Sequence, residues 1–91
     1  MLDWIRNHIL NRGDKAKALV DNTAYEEAVN DIRQKYIEII IDSAAHDTQA
    51  REIAYFGLKA LADVDRQLRV YVSDAKYELG KDNQPQNGAN T

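Results

Sequence analysis

The chain has 91 residues, enough for one small domain but near the size at which a single hydrophobic core becomes marginal. A net charge of −3 argues against nucleic-acid binding through bulk charge, and the absence of cysteine excludes disulfides and thiolate metal sites. The longest aliphatic run, Ile39-Ile40-Ile41, falls far short of the roughly 18 residues of a spanning helix, and the first residues lack a secretory pattern.

Charge is unevenly distributed. Four bases against two acids make residues 1–20 net +2, whereas seven acids against two bases make residues 21–47 net −5. The remainder is balanced. Attraction between the first two segments is one expected consequence; a basic arm for an acidic partner is the alternative.

In chain order, residues 1–12 predict a short helix with Leu2, Ile5 and Ile9 on one side and Asp3 favouring its first turn. Gly13 is the expected terminator. A helix this short must dock to be stable, and Trp4 is expected to plug the open end of a bundle; a membrane-surface or partner-binding arm is the rival. Residues 14–21 predict another helical turn or two, broken around Asp21-Asn22.

Thr23-Ala-Tyr-Glu26 matches a capping box, in which the Thr23 hydroxyl and the Glu26 carboxylate satisfy each other's backbone amides. The helix it opens is expected over 24–43, with Tyr25, Ala28, Val29, Ile32, Tyr36, Ile39 and Ile40 as its apolar stripe. Asp47 or Thr48 then caps a long helix over 48–79. Its stripe runs through Ile53, Gly57, Ala60, Leu61, Val64, Leu68, Tyr71, Val72, Ala75 and Leu79 at steps of three and four. So short a connection predicts an antiparallel αα-hairpin. The middle helix would cover about two-thirds of the long one, with the N-terminal segments covering the rest. Residues 81–91 are polar, contain Pro85 and Gly88, and predict a flexible, disordered tail. The expected fold class is therefore all-α, in one helical domain over 1–80.

Periodicity leaves a remainder near the turn. Ile37 and Ile41 on the middle helix, and Tyr55, Leu58 and Ala62 on the long one, stand well off the main stripes; Phe56 lies on the opposite flank. These six are the candidate partner-binding residues, covered by another chain rather than by the distant N-terminal segment. Gly57 costs the helix about 1 kcal/mol relative to alanine, which close backbone approach would offset. A two-helix hairpin buries too little to stand alone, so a third helix or self-association is expected.

No catalytic, cofactor or metal constellation emerges. His8 and His46 lie outside any metal-ligand spacing, and the chain has no phosphate loop, nucleophile elbow or cysteine nucleophile, so no enzyme and no cofactor are expected. Lys59 with Asp63, and Asp65 with Arg69, are expected as surface pairs. Arg6, Arg12, Lys15 and Lys17 form the one candidate nucleic-acid cluster.

Tyr25-Glu-Glu-Ala-Val29 after a cap, Asp47-Thr-x-x-Arg51-Glu52, Leu58-Lys-Ala-Leu61 and Asp65-Arg66-x-Leu68-Arg69 carry a resemblance over residues 20–80. In these, the chain resembles small helical proteins of the head-assembly and DNA-packaging modules of tailed bacteriophages. The resemblance implies a non-enzymatic virion or assembly protein acting in several copies, with itself and a larger capsid or portal-type protein as partners. It also implies the host cytoplasm during assembly, and the particle itself, as its locations. It supplies no functional residues. Two alternatives stand beside it: a DNA-packaging or regulatory factor using the basic N-terminal segment, and a small helical inhibitor of a partner enzyme.

Overall fold

The computed structural model describes residues 3–83 and consists of three helices, with no strand among the described residues. Helix α1 spans Asp3–Val20, α2 spans Thr23–Asp42 and α3 spans Thr48–Asn83. The expected tail from residue 84 onward, like Leu2, lies outside the described residues. No described helix is long and apolar enough to cross a membrane.

Local chemistry sets the helix ends. Between α1 and α2 the chain turns at Asp21-Asn22, where the Asp21 and Asn22 amides still donate to the Lys17 and Leu19 carbonyls. Asn22 then takes an extended conformation (φ −79°, ψ 123°), and its Oδ1 accepts the Tyr25 amide at 3.0 Å. Asn22, not Thr23, is therefore the N-cap, and Thr23 is the first helical residue. The amide carbonyl of asparagine does the work expected of the threonine hydroxyl. At the second turn Asp47 Oδ1 accepts the Ala50 amide at 3.1 Å, as a capping aspartate should. Arg51 closes that turn from within α3. It donates to Ser43 Oγ at 3.0 Å, to the Ala44 carbonyl at 2.8 Å and to the Ala45 carbonyl at 2.9 Å.

Contacts with α3 occur in reverse chain order along its whole length. Arg6 meets Glu78, Arg12 meets Asp74 and Gly13 packs against Tyr71 and Ala75. Farther along, Tyr36 lies over Gly57, and Ser43 meets Arg51. Helices α1 and α2 thus follow one another down α3, both antiparallel to it, like a single strand broken once. The molecule is a rod two helices thick, measuring 65 × 28 × 23 Å. Its radius of gyration is 19.7 Å, against about 12 Å for a compact domain of this length.

Glycine 13 does not end a helix. Helix α1 passes through it, and a Cβ there would overlap the Ala75 Cβ and stand 2.9 Å from the Tyr71 carbonyl oxygen. The residue is glycine because α1 and α3 nearly touch at that point. The α-helical cost of glycine is local, and the compensating contact is made 62 positions away. Helix α3 likewise continues through Gly80, beyond the expected end, to Asn83.

A rod of this thickness gives each helix one neighbour at any level, so there is no interior for large side chains. The buried apolar residues are Ala16, Ala54 and Ala75, and no large side chain among the described residues is fully buried. Small residues at the seams allow close helix approach; larger neighbours stay half open. Trp4 corrects the expected plug: it stands 70% exposed on the side of α1 away from α3.

Candidate interaction surfaces

The two apolar stripes are broader than their seams. On α3, Ala54 is buried and Ala50, Gly57, Leu58, Leu61 and Leu68 are half-buried, so the covered face centres between Gly57 and Ala54. Ile53 and Val64 belong to the stripe expected to pack within the hairpin, yet they are 61% and 53% exposed. At about 100° per residue they fall on one flank of that face together with Phe56 and Ala60. On α2, Val29, Tyr36 and Ile40 are half-buried, whereas Ile32 and Ile39, expected in the same stripe, are exposed and share one flank.

Handedness decides where those flanks point. Residues advance clockwise around a helix running away from the viewer and counter-clockwise around one running towards the viewer. For antiparallel α2 and α3, the flanks carrying Ile32 and Ile39, and Ile53, Phe56 and Val64, therefore face the same side of the rod. The same construction places Leu19 of α1 on that side, where a hollow lined by Arg12, Leu19, Leu68 and Tyr71 opens. We call this the open face.

The opposite side has a different chemistry. Midway along the rod it carries a polar hollow lined by Tyr25, Glu26, Arg33, Asp65 and Arg69. Asp65 Oδ2 accepts from Arg69 Nε at 2.9 Å, and that hydrogen bond together with the carboxylate charge raises the Arg69 pKa above its ordinary value. Nearer the turn this side carries five of the six candidate partner-binding residues. Ile41 is 72% exposed and Tyr55 53% exposed, Ala62 is exposed, and Ile37 and Leu58 are half-buried. Phe56 belongs to the open face instead, its ring tilted against Tyr55 with centroids 5.8 Å apart. The six candidates thus divide between two surfaces that meet along the outer edge of α3.

Three of the four basic N-terminal candidates are engaged within the chain. Arg6 Nε stands 3.7 Å from Glu78 Oε1, with Nη2 donating to the Glu78 carbonyl at 3.4 Å, and Lys17 Nζ is 2.7 Å from Asp21 Oδ2. The Arg12 guanidinium lies 4.0 Å above the Tyr71 ring, with Nη2 3.5 Å from Asp74. Arg12 Nε is buried without a hydrogen-bond partner, and stacking on the ring gives its charge an electron-rich surface in place of water. Lys15 is exposed. Farther along α3, Asp63 pairs with Arg66 at 2.7 Å rather than with Lys59, whose Nζ stands 5.7 Å from the Tyr55 ring centroid.

His46 is exposed in the second turn and His8 on α1, and no group of three His, Asp or Glu side chains among the described residues is placed to hold a metal ion. The open face was hidden from periodicity because a stripe reports which residues are apolar, not how wide an arc one neighbour can cover. The available signal was the width. From Phe56 round to Leu58 the first half of α3 is apolar over about 200°, twice what a single packed helix occupies. No protein-family model, curated protein or solved structure matches the chain.

Proposed function

We propose that this chain is a non-enzymatic structural protein that acts by assembly, binding copies of itself and a larger shell or portal-type partner. The observation that supports this most directly is the rod itself. Among its described residues no large side chain is fully buried, while Trp4, Ile41, Ile53, Phe56 and Tyr77 are each more than 60% exposed. A soluble monomer that leaves so much apolar surface along two sides has its hydrophobic partners on other chains. In this reading α2 and α3 act as an antiparallel αα-hairpin that presents the turn-end residues Ile37, Ile41, Tyr55, Leu58 and Ala62 to the larger partner. The resemblance to head-assembly proteins of tailed bacteriophages makes a phage particle or its assembly intermediate the proposed setting.

Sedimentation equilibrium over a range of chain concentrations tests the assembly. Dimers or larger species at micromolar concentration are expected, and a helical monomer persisting to the highest concentration would overturn it. Mass spectrometry of purified phage particles and procapsids tests the setting: several copies in either support it, and absence from both removes it. For the larger partner, Ile41→Asp combined with Leu58→Asp should abolish binding while leaving helicity intact. Undiminished binding would show that the turn end is not the docking surface.

A further inference from the structure

Two charges on the outer edge of α3 are left without ionic partners by the fold. Glu52 makes no hydrogen bond or ion pair among the described residues. Lys59 makes none either, because Asp63 is taken by Arg66 at 2.7 Å; its Nζ stands 5.7 Å from the Tyr55 ring centroid. Phe56 lies between them. With Phe56 at the origin and about 100° per residue, Glu52 and Lys59 fall at about −40° and −60°, and Ile53 and Ala60 at about +60° and +40°. The edge therefore has an aromatic ridge, a charged flank on one side and an apolar flank on the other. Phe56 and Ile53, 64% and 61% exposed, are the most exposed apolar side chains in the first half of α3.

The order of these residues fits the edge to itself in one direction only. Turning a second copy by 180° about an axis perpendicular to both α3 helices, between the two Phe56 rings, makes the helices antiparallel and sets like flank beside like flank. Residues equally far from Phe56 in opposite directions then stand at the same level. Glu52 of each copy meets Lys59 of the other, Ile53 meets Ala60, and Phe56 meets its own counterpart. A parallel pair, turned about the helix direction, sets each charged flank beside the apolar flank of the other copy, where neither charge finds a partner. Stacking the open faces antiparallel at the same level lays α2 on α2. That brings together Asp31, Glu38 and Asp42 of both copies, acids with no ion pair among the described residues, with Lys35 as the single base beside them.

Resting on the self-association proposed above, we infer that the occupant of this edge is a second copy of the chain, paired antiparallel about Phe56. Two ion pairs related by the two-fold axis close one side of the Phe56 contact, and the Ile53–Ala60 contacts close the other. The helices overlap from Thr48 to about residue 64, roughly 25 Å. So short an overlap makes a reversible, concentration-dependent dimer rather than an obligate one. The two rods extend from it in opposite directions, with the acidic α2 helices held apart on its outer sides. The turn-end residues Ile37, Ile41 and Leu58 stay uncovered for the larger partner.

Exchanging the two charges tests the pairing, with sedimentation equilibrium as the readout. Glu52→Lys and Lys59→Glu each replace two attractive pairs by two repulsive ones, and each should weaken the dimer by about tenfold or more in dissociation constant. The variant carrying both changes has opposite charges across the axis again and should return to within about threefold of the parent. Single variants that dimerise like the parent, or a double variant that does not recover, would overturn the pairing while leaving self-association standing. A parent that sediments as a monomer at every concentration would remove self-association as well.

Pulsed dipolar spectroscopy of nitroxide labels gives the register independently, because the chain has no native cysteine to interfere. The axial separation of symmetry-related positions grows by about 3 Å for each residue from Phe56, twice the helical rise. Labels at Arg66→Cys should therefore stand roughly 30 Å apart along the rod, and those at Ser73→Cys roughly 50 Å. Equal distances at the two sites would mean a parallel pair, and a separation at 66 far below 30 Å would mean another register. Either result overturns the pairing about Phe56.

Discussion

Replacing Gly13 by alanine opposes two effects of known sign. Alanine favours a helix over glycine by about 1 kcal/mol, and α1 is continuous through this position. Against this, the new methyl group would overlap the Ala75 Cβ and lie 2.9 Å from the Tyr71 carbonyl oxygen. Neither obstacle can rotate away, because one is a methyl fixed to the backbone and the other is the backbone of α3. Ordinary contact requires the helices to part by roughly 1 Å, loosening the seam of Gly13, Ala16 and Ala75 at a cost of about 2–3 kcal/mol. The net effect is a loss of about 1–2 kcal/mol, or roughly 5–15 °C in Tm for a chain of this size. Gly80→Ala supplies the internal control. Position 80 is also helical, but nothing stands within 4 Å of its new methyl, so the propensity gain of about 1 kcal/mol should appear as a higher Tm. Thermal unfolding followed by circular dichroism at one fixed chain concentration measures both, since association links stability to concentration. A Gly13→Ala protein at least as stable as its parent would refute the close approach of α1 and α3.

Three further changes probe other parts of the rod. Asn22→Ala removes the cap that holds the Tyr25 amide and should cost about 1 kcal/mol, whereas Thr23→Ala should cost only a few tenths; denaturant titration with the opposite ranking would restore the capping box to Thr23. Arg51→Leu deletes three hydrogen bonds to the second turn and should destabilise the chain by about 1–3 kcal/mol, with faster amide exchange confined first to residues 43–50; unchanged exchange there would show that the turn holds without it. The sole tryptophan, Trp4, should emit like tryptophan in water and be quenched freely by iodide in the isolated protein; a shielded spectrum would mean that another chain covers the outer side of α1.

The sequence by itself determined most of what depends on near neighbours. Apolar steps of three and four, an aspartate before Thr48 and a five-residue connection specify α2, the second turn and most of α3. Each of those signals acts within one or two helical turns. The break at Asp21-Asn22 was legible for the same reason, although the choice between Asn22 and Thr23 as cap was not, because both side chains can accept the same class of amide and the path of the preceding helix decides. The surplus of apolar residues near the turn was also legible, since counting them requires only periodicity.

What the tertiary structure decided are matters of distance along the chain and of arc around a helix. Gly13 has the local character of a helix stop, and only the approach of Ala75 and Tyr71 makes it a helix contact. Trp4 has the composition of a core residue, and only the position of α1 on α3 turns it outward. Above all, the stripe containing Ile53 and Val64 was wide enough to pack in more than one direction, and periodicity does not say which third of an apolar arc a neighbour will cover. Packing α1 and α2 end to end along α3 settled that. It used the small residues Gly13, Ala16, Ala54, Gly57 and Ala75 for close contact and left the larger ones on an open side. The physical reason is geometric: close approach selects the seam with the smallest side chains, and the bulk displaced from it becomes surface.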